Sequence, residues 1–220
     1  MDMNNNGSIF SGTKDVAENL KFDEIKLQEW FGDSIPGMGK ILQIAQFKGG
    51  QSNPTYKIST ERKNFVLRRK PPGVLLPSAH AVDREHKVIT ALKETEVPVP
   101  NTYGLCIDRD VIGTEFFVMD FLDGHIYWDL LLADKSPEER KAIYLNKNKV
   151  IAELHKVDYE AVGLSDYGKP GSYIARQVSR WTKQYLASQT EEIEAMNKLI
   201  DWLPSNIPDE DETCIVHGDY

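Results

Sequence analysis

Apolar and polar residues alternate in short runs along the first half of the chain, which is the pattern of β-strands with one buried face. Turn residues separate the runs, among them the glycine and Asn-Pro stretch at 48–54 and the polar stretch at 61–64. We therefore predict a five-stranded sheet in this half of the chain. The predicted strands are 41–47, 55–60, 65–69, 103–107 and 114–119, with a turn at 108–110 between the last two.

Helical periodicity dominates the rest of the chain. A helix is predicted from Ser78 to Glu96, because Val82 and Ile89 recur at helical spacing and prolines follow. The stretch Ser136-Pro137-Glu138-Glu139 has the form of a capping box with proline at the first helical position. Further helices are predicted from 136 onward, at 172–188 and along the apolar stripe 193–203, followed by a last strand at 214–216.

The order of these elements predicts an α+β fold, because a strand-rich half precedes a helical half instead of alternating with it. Three segments are expected. They are an N-terminal tail with a leading helix over 1–39, a strand-rich lobe over 40–121 and a helical lobe over 122–220.

Composition narrows the classes of partner. The 220 residues carry a formal net charge of −8, which argues against nucleic acid, since phosphate backbones are bound by basic surfaces. No apolar run approaches the roughly 20 residues that span a bilayer. The polar start, Met1 to Lys14, lacks the apolar core of a secretory signal. Cys106 and Cys214 have no metal or redox spacing, so we expect buried thiols in the cytoplasm.

A carboxylate falls on the apolar stripe of the first predicted helix. Glu85 lies three residues after Val82 and four before Ile89, so its side chain points toward the interior and needs a cation. Strand alternation places Arg68 and Lys70 on one face of the third strand. An ion pair between Arg68 and Glu85 is the arrangement that holds nucleotide phosphates in kinases. The alternative is that Glu85 reaches solvent from the stripe edge and that Arg68 is solvated.

Two other motifs, one before and one after Arg68 and Glu85 in the sequence, support the interpretation of that pair as a nucleotide site. The turn Gly49-Gly50-Gln51-Ser52-Asn53 precedes the strand of Arg68 by one hairpin and could lay N–H groups over phosphate oxygens. The stretch His217-Gly218-Asp219 follows an apolar run, as a catalytic aspartate loop does. The alternative for each motif, taken alone, is an ordinary surface turn.

With these motifs the chain resembles the aminoglycoside phosphotransferase superfamily, whose fold is similar to that of protein kinases, and in particular the branch fused to acyl-CoA dehydrogenase domains. The resemblance begins at about Lys40 and extends over nearly all the remaining chain. The matching stretches are 47–56, 65–73, Arg84-Glu85, Leu154-His155 and 216–219.

The resemblance implies that residues 40–121 form a nucleotide-binding lobe that takes ATP. The glycine turn with Gly49, Gly50, Ser52 and Asn53 would cover the phosphates. Arg68 would replace the lysine that contacts the nucleotide phosphates in many relatives, making that contact bidentate.

Further site residues follow from the same resemblance. Glu85 would be the helix partner of Arg68. Met119, Asp120 and Phe121 would form the linker that meets adenine through backbone groups. Asp219 would be the catalytic base, with His217 bracing its loop.

The family also places an asparagine five residues after the catalytic aspartate and an acidic metal ligand further on. Both positions lie beyond Tyr220. We therefore expect the Mg²⁺ ligands beyond the end of this chain, none of the metal ligands within it, an incomplete helical lobe and little activity in this form.

The predicted activity is ATP-dependent phosphoryl transfer to the hydroxyl of a small molecule. The fused branch points to a hydroxyacyl thioester as the acceptor and to a downstream dehydrogenase domain in longer relatives. The competing hypothesis is a nucleotide-binding or interaction module without turnover.

Overall fold

The sheet of this protein has six strands, all antiparallel, in the order β1-β2-β3-β4-β6-β5. The structure is a computed structural model, and it describes residues 11–49, 52–73, 80–209 and 212–220. The strands are β1 (Thr13–Lys14), β2 (Ile41–Phe47), β3 (Thr55–Thr60), β4 (Asn64–Arg69), β5 (Thr102–Cys106) and β6 (Phe116–Asp120).

Six α-helices accompany the sheet in the described part of the chain. They are α1 (Glu24–Ser34), α2 (Val82–Ala91), α3 (Arg109–Ile112), α4 (Pro137–Lys156), α5 (Tyr173–Ser188) and α6 (Glu194–Trp202). Short 3-10 turns follow α2 and α6, at Leu92–Glu94 and Leu203–Ser205. The capping box is present at α4, because the Ser136 hydroxyl accepts from the Glu139 N–H at 3.2 Å and the Glu139 carboxylate accepts from the Ser136 N–H at 2.8 Å.

Strand alternation decides which residues reach the hydrophobic core. One face of the sheet packs against α1, whose Leu27 and Phe31 are buried against Phe65 and the neighbouring strand residues. The opposite face carries α2, where the His86 ring meets the Phe117 ring edge-on at 5.8 Å. Phe65 and Leu67 of β4 thus join the core with α1, whereas Arg68 and Lys70, the residue that follows β4, form ion pairs with carboxylates of α2.

Four sequence expectations need correction. The two-residue strand β1 adds a sixth strand, too short for a pattern to indicate. The expected turn at 108–110 begins helix α3, because Asp108 caps it by accepting from the Asp110 N–H at 2.9 Å. The helix expected to begin at Ser78 is α2, which begins at Val82. Ser78 itself lies outside the described residues. No strand forms at 214–216, because no described strand pairs with it.

The chain divides into two compact units, Met1–Leu154 and His155–Tyr220. The first holds the sheet with α1, α2 and α3, and the second holds α5, α6 and the segment with His217 and Asp219. The lobe boundary expected near residue 121 stays a prediction. None of the helices in the described ranges combines the length and apolar character needed to cross a membrane.

Candidate active site

The centre of the first unit's candidate site is an ion pair between β4 and α2. Arg68 donates from Nε to Glu85 Oε2 and from Nη2 to Glu85 Oε1 at 3.2 Å, so the contact is bidentate. Arg68 Nη1 donates to the Thr55 hydroxyl at 3.3 Å, across the strand pair that aligns these two residues. The side chains of Arg68 and Glu85 are 32% and 34% exposed, so the pair is half-buried. The predicted pairing is therefore present.

Lys70 extends this contact along the same face of the sheet. Its Nζ lies 3.8 Å from Asp83 Oδ1 in the first turn of α2 and forms an ion pair with Glu115. Hydrogen bonds from Lys70 and Arg109 hold the pKa of Glu115 below its ordinary value. Alternation along β4 and the residue that follows it thus places Arg68 and Lys70 against two carboxylates of α2, and these ion pairs connect the helix to the sheet.

The glycine turn before β3 contributes one buried side chain. Asn53 is 4% exposed; its side-chain amide donates to Glu85 Oε1 at 3.0 Å and its side-chain oxygen lies 2.8 Å from His80 Nδ1. Ser52 is exposed and Gly49 is half-buried. Gly50 and Gln51 lie outside the described residues. The phosphate-covering role of this turn stays a prediction.

An aromatic pair marks the end of β6, where the linker residues were expected. The ring of Phe121 stacks on the ring of Phe47 at a centroid distance of 6.3 Å and an interplanar angle of 16°. The ammonium group of Lys57 lies 4.5 Å from the centroid of the Phe121 ring. Met119 and Phe121 are both half-buried. Phe47, Lys57 and Phe121 together are called the aromatic platform below.

A polar cluster fixes the last residue of β6. Asp120 accepts hydrogen bonds from Lys63 at 2.8 Å, from the Tyr103 hydroxyl at 2.7 Å and from the Asn101 amide at 2.7 Å. Burial by itself would raise the pKa of Asp120, but these hydrogen bonds outweigh it and lower the pKa to about 2. Asp120 is therefore ionised at neutral pH and anchors the chain just before Phe121.

The second unit carries the expected catalytic motif in an exposed loop. The Asp219 N–H donates to His217 Nδ1 at 3.3 Å, and Gly218 between them has a φ of +77°. That left-handed backbone favours glycine over any other residue. The rings of His217 and Tyr220 meet edge-on at 5.5 Å. Asp219 is exposed on the surface of this unit. The bracing role of His217 stays a prediction.

Among the described residues, no group of three or more His, Cys, Asp or Glu side chains is arranged to hold a metal ion. These residues alone therefore do not provide a Mg²⁺ site of that kind.

Sequence reasoning missed several of these contacts. No site role was expected for His80, Thr55 or Lys57. Each of them contacts an expected site residue because the fold brings the two together. Strand register could have indicated Thr55, because it lies opposite Arg68 in the hairpin. No local signal points to His80 or to the Lys57 contact, since their partners lie 27 and 64 residues away in the sequence.

Comparison with known proteins adds a family and a fold. A model of the phosphotransferase enzyme family matches residues 43–220. Mouse acyl-CoA dehydrogenase family member 10 is 48% identical over 179 residues, covering 81% of this chain and 17% of that protein. Human acyl-CoA dehydrogenase family member 11 is 43% identical over 218 residues, covering 96% of this chain and 28% of that protein. The chain thus spans 28% or less of the length of these two relatives.

Among solved structures, a Ralstonia eutropha protein assigned provisionally to the aminoglycoside phosphotransferases is similar with a TM-score of 0.79 and 49% identity. The match covers 91% of this chain and 59% of that one. The predicted α+β fold, similar to that of protein kinases, is therefore confirmed, and the mixture of helices with an antiparallel sheet is that of the aminoglycoside phosphotransferases.

Proposed function

Since this chain belongs to the phosphotransferase enzyme family, we propose that it transfers a phosphoryl group from ATP to the hydroxyl of a small molecule. The observation that carries the proposal is the bidentate Arg68–Glu85 pair beside the glycine turn. A cation held by a helix carboxylate in this position is the arrangement that kinases use to orient nucleotide phosphates.

Arg68 is proposed to bind the phosphates directly. Within the described residues, its hydrogen bonds to Glu85 and Thr55 use three of its five N–H groups, which leaves two for phosphate oxygens. The guanidinium fork favours a bidentate contact with phosphate over the single contact of an ammonium group. Backbone N–H groups of Gly49, Gly50 and Ser52 are proposed to cover the phosphates.

The nucleobase is proposed to bind next to the aromatic platform. Met119, Asp120 and Phe121 are proposed to form the linker that meets the base, and aromatic rings such as that of Phe121 provide stacking surfaces for bases. The cluster around Asp120 supports this proposal, because it fixes the backbone immediately before Phe121.

Asp219 is proposed to be the general base that accepts the proton of the acceptor hydroxyl. His217 supports this role, since its Nδ1 accepts a hydrogen bond from the Asp219 N–H within the loop. The Mg²⁺ that the family resemblance implies has no cluster of ligands among the described residues, and the roles proposed for Arg68 and Asp219 are stated without it.

A hydroxyacyl thioester is proposed as the acceptor. Support comes from the relatives named for acyl-CoA dehydrogenases, in which a domain similar to this chain occupies 28% or less of the length. A fused or separate dehydrogenase would then be the partner that acts on the same acyl thioester. Both cysteines are free thiols, which favours a reducing compartment such as the cytoplasm.

The proposal is tested by nucleotide binding and phosphoryl transfer in parallel. For a form of the protein that extends to the expected Mg²⁺ ligands, we expect ATP to bind in a calorimetric titration and labelled phosphate to appear on a hydroxyacyl-CoA thioester. The same thioester without its hydroxyl should not be labelled. Asp219→Asn should lower the transfer rate about 100-fold or more while ATP still binds, because only the base is lost.

Arg68→Ala should weaken ATP binding, and Arg62→Ala, an exposed arginine in the β3–β4 turn, is the matched control. Binding of ATP without transfer to any hydroxyl compound would favour the binding module without turnover. Failure of ATP to bind at all would overturn the proposal.

A further inference from the structure

The side chain of Asn53 connects the glycine turn to helix α2. It is 4% exposed, and both ends of its amide have partners: Glu85 Oε1 at 3.0 Å and His80 Nδ1 at 2.8 Å. Glu85 is in turn held by Arg68. Four side chains, from the turn, from β4, from α2 and from His80 two residues before α2, therefore form one hydrogen-bonded chain.

The chemistry of the partners fixes the direction of every hydrogen bond in this chain. The ion-paired Glu85 carboxylate can only accept, so the NH₂ group of Asn53 faces it and donates. The oxygen of Asn53 therefore faces His80 and accepts, which requires a proton on His80 Nδ1. The donors run from His80 through Asn53 to Glu85, and Arg68 donates to Glu85 from the other side.

His80 holds an unusual backbone conformation at the same place. Its φ is +58°, in the left-handed region that only a few per cent of residues other than glycine adopt, with histidine, asparagine and aspartate the most frequent among them. Its carbonyl oxygen accepts from the Val82 N–H at 2.9 Å, so it also shapes the entry to α2. Contacts that hold a residue in a disfavoured conformation occur often at functional sites.

We propose that Asn53 and His80 are positioning residues that couple the glycine turn to the Arg68–Glu85 pair. His80 orients Asn53, and Asn53 holds the end of the turn against Glu85, so the turn and Arg68 face a bound nucleotide together. This inference rests on the proposed function, because its effect is on phosphate binding. It gives Asn53 a buried role in place of direct contact with phosphate.

The hydrogen-bond direction can be tested without any nucleotide. In protein labelled with ¹⁵N-histidine, His80 should show a pyrrole-like Nδ1, whereas the Nε2–H form should have a pyridine-like Nδ1. His80→Gly should also speed amide hydrogen exchange at Thr55, beside the turn, and at Arg68. A pyridine-like Nδ1, or unchanged exchange at both amides, would overturn the coupling even if ATP binds as proposed.

Three variants of His80 separate its hydrogen bond from its backbone conformation. His80→Gly removes the donor and relieves the φ strain, and His80→Ala removes the donor and keeps the strain. His80→Asn keeps a donor at the position of Nδ1 and tolerates the left-handed backbone. Because one such hydrogen bond contributes about 1 kcal/mol, we expect ATP affinity to fall about fivefold in His80→Gly and to stay within about twofold in His80→Asn.

The decisive measurement repeats His80→Gly in the Asn53→Ala background. If His80 acts through Asn53, the second substitution should change ATP affinity less than about twofold there. Equal fivefold losses in both backgrounds, or a lower melting temperature with unchanged affinity in His80→Gly, would overturn the proposal. If the unaltered chain does not bind ATP, the proposed function fails. The coupling through Asn53 and His80 is then tested only by the histidine spectrum and the amide exchange rates.

Discussion

Replacing Asp120 with asparagine is expected to destabilise the sheet in a pH-dependent manner. The folded-state pKa is about 2, against an ordinary value of 3.8, because the hydrogen bonds from Lys63, Tyr103 and Asn101 outweigh the opposing effect of burial. One pKa unit corresponds to 1.36 kcal/mol, so the difference between the ordinary and the folded-state pKa of Asp120 corresponds to a stabilisation of about 2.4 kcal/mol at pH 7. The side chains of Asp120 and Lys63 are 18% and 38% exposed, so solvent screening reduces the expected loss to about 1–2 kcal/mol.

The pH dependence has a definite sign. A carboxylate whose folded-state pKa is lowered contributes stability above its unfolded-state pKa, and that contribution is lost as pH falls through its folded-state pKa. The difference between the unaltered chain and Asp120→Asn should therefore be constant from pH 7 to about pH 5, fall to about half near pH 3 and vanish below pH 2.

Amide hydrogen exchange in β4 and β6 is the appropriate assay, because it reports the opening of this sheet without assuming that the second unit unfolds with it. Asp123→Asn is the matched control, since Asp123 is an exposed carboxylate three residues further along the chain. An effect of Asp120→Asn no larger than that of Asp123→Asn, or an effect that stays constant down to pH 3, would refute the reasoning.

Three further predictions concern single contacts. Arg69 is 2% exposed with one guanidinium nitrogen unpaired among the described residues, so Arg69→Met should leave the free energy of unfolding unchanged or raise it by up to about 2 kcal/mol in chemical denaturation; a loss above about 2 kcal/mol would contradict this. Arg68→Ala and Glu85→Ala should weaken ATP binding non-additively, with a coupling of about 0.5–3 kcal/mol in calorimetric titrations, whereas additive losses would mean that the pair does not act as a unit. Ser136→Ala should cost about 1 kcal/mol by removing its bond to the Glu139 N–H, and amide exchange confined to the first turn of α4 would detect the loss.

Much of the first unit could be predicted from local pattern. Strands β2 and β3 have the expected bounds, and β4 begins one residue earlier than expected. The pairing of Arg68 with Glu85 followed from two periodicities, because a strand alternates every two residues and a helix repeats every 3.6. The capping box at Ser136 also followed from the sequence, since its partners lie only three residues apart.

The errors share a different physical cause. Residues 214–216 have the apolar character of a strand, but a strand forms only when another strand accepts its hydrogen bonds, and no described strand does so. The predicted turn at 108–110 became the start of α3 because the Asp108 side chain caps a helix there. In both places the same local signal permits two structures, and contacts decide between them.

The sequence by itself determined which residues could carry charge, hydrogen bonds and catalysis, and on which face of a strand or helix they lie, because backbone geometry sets those periods. Beyond the Arg68–Glu85 pair and the capping box, only the tertiary structure decided their partners. Asn53 was expected to face phosphate, but the fold directs its side chain to Glu85, 32 residues away, and to His80. The stacking of Phe121 on Phe47 and the three hydrogen bonds to Asp120 likewise join residues that only the sheet brings together. A side-chain hydrogen bond depends on the position of both partners in space, and local periodicity specifies only one of them.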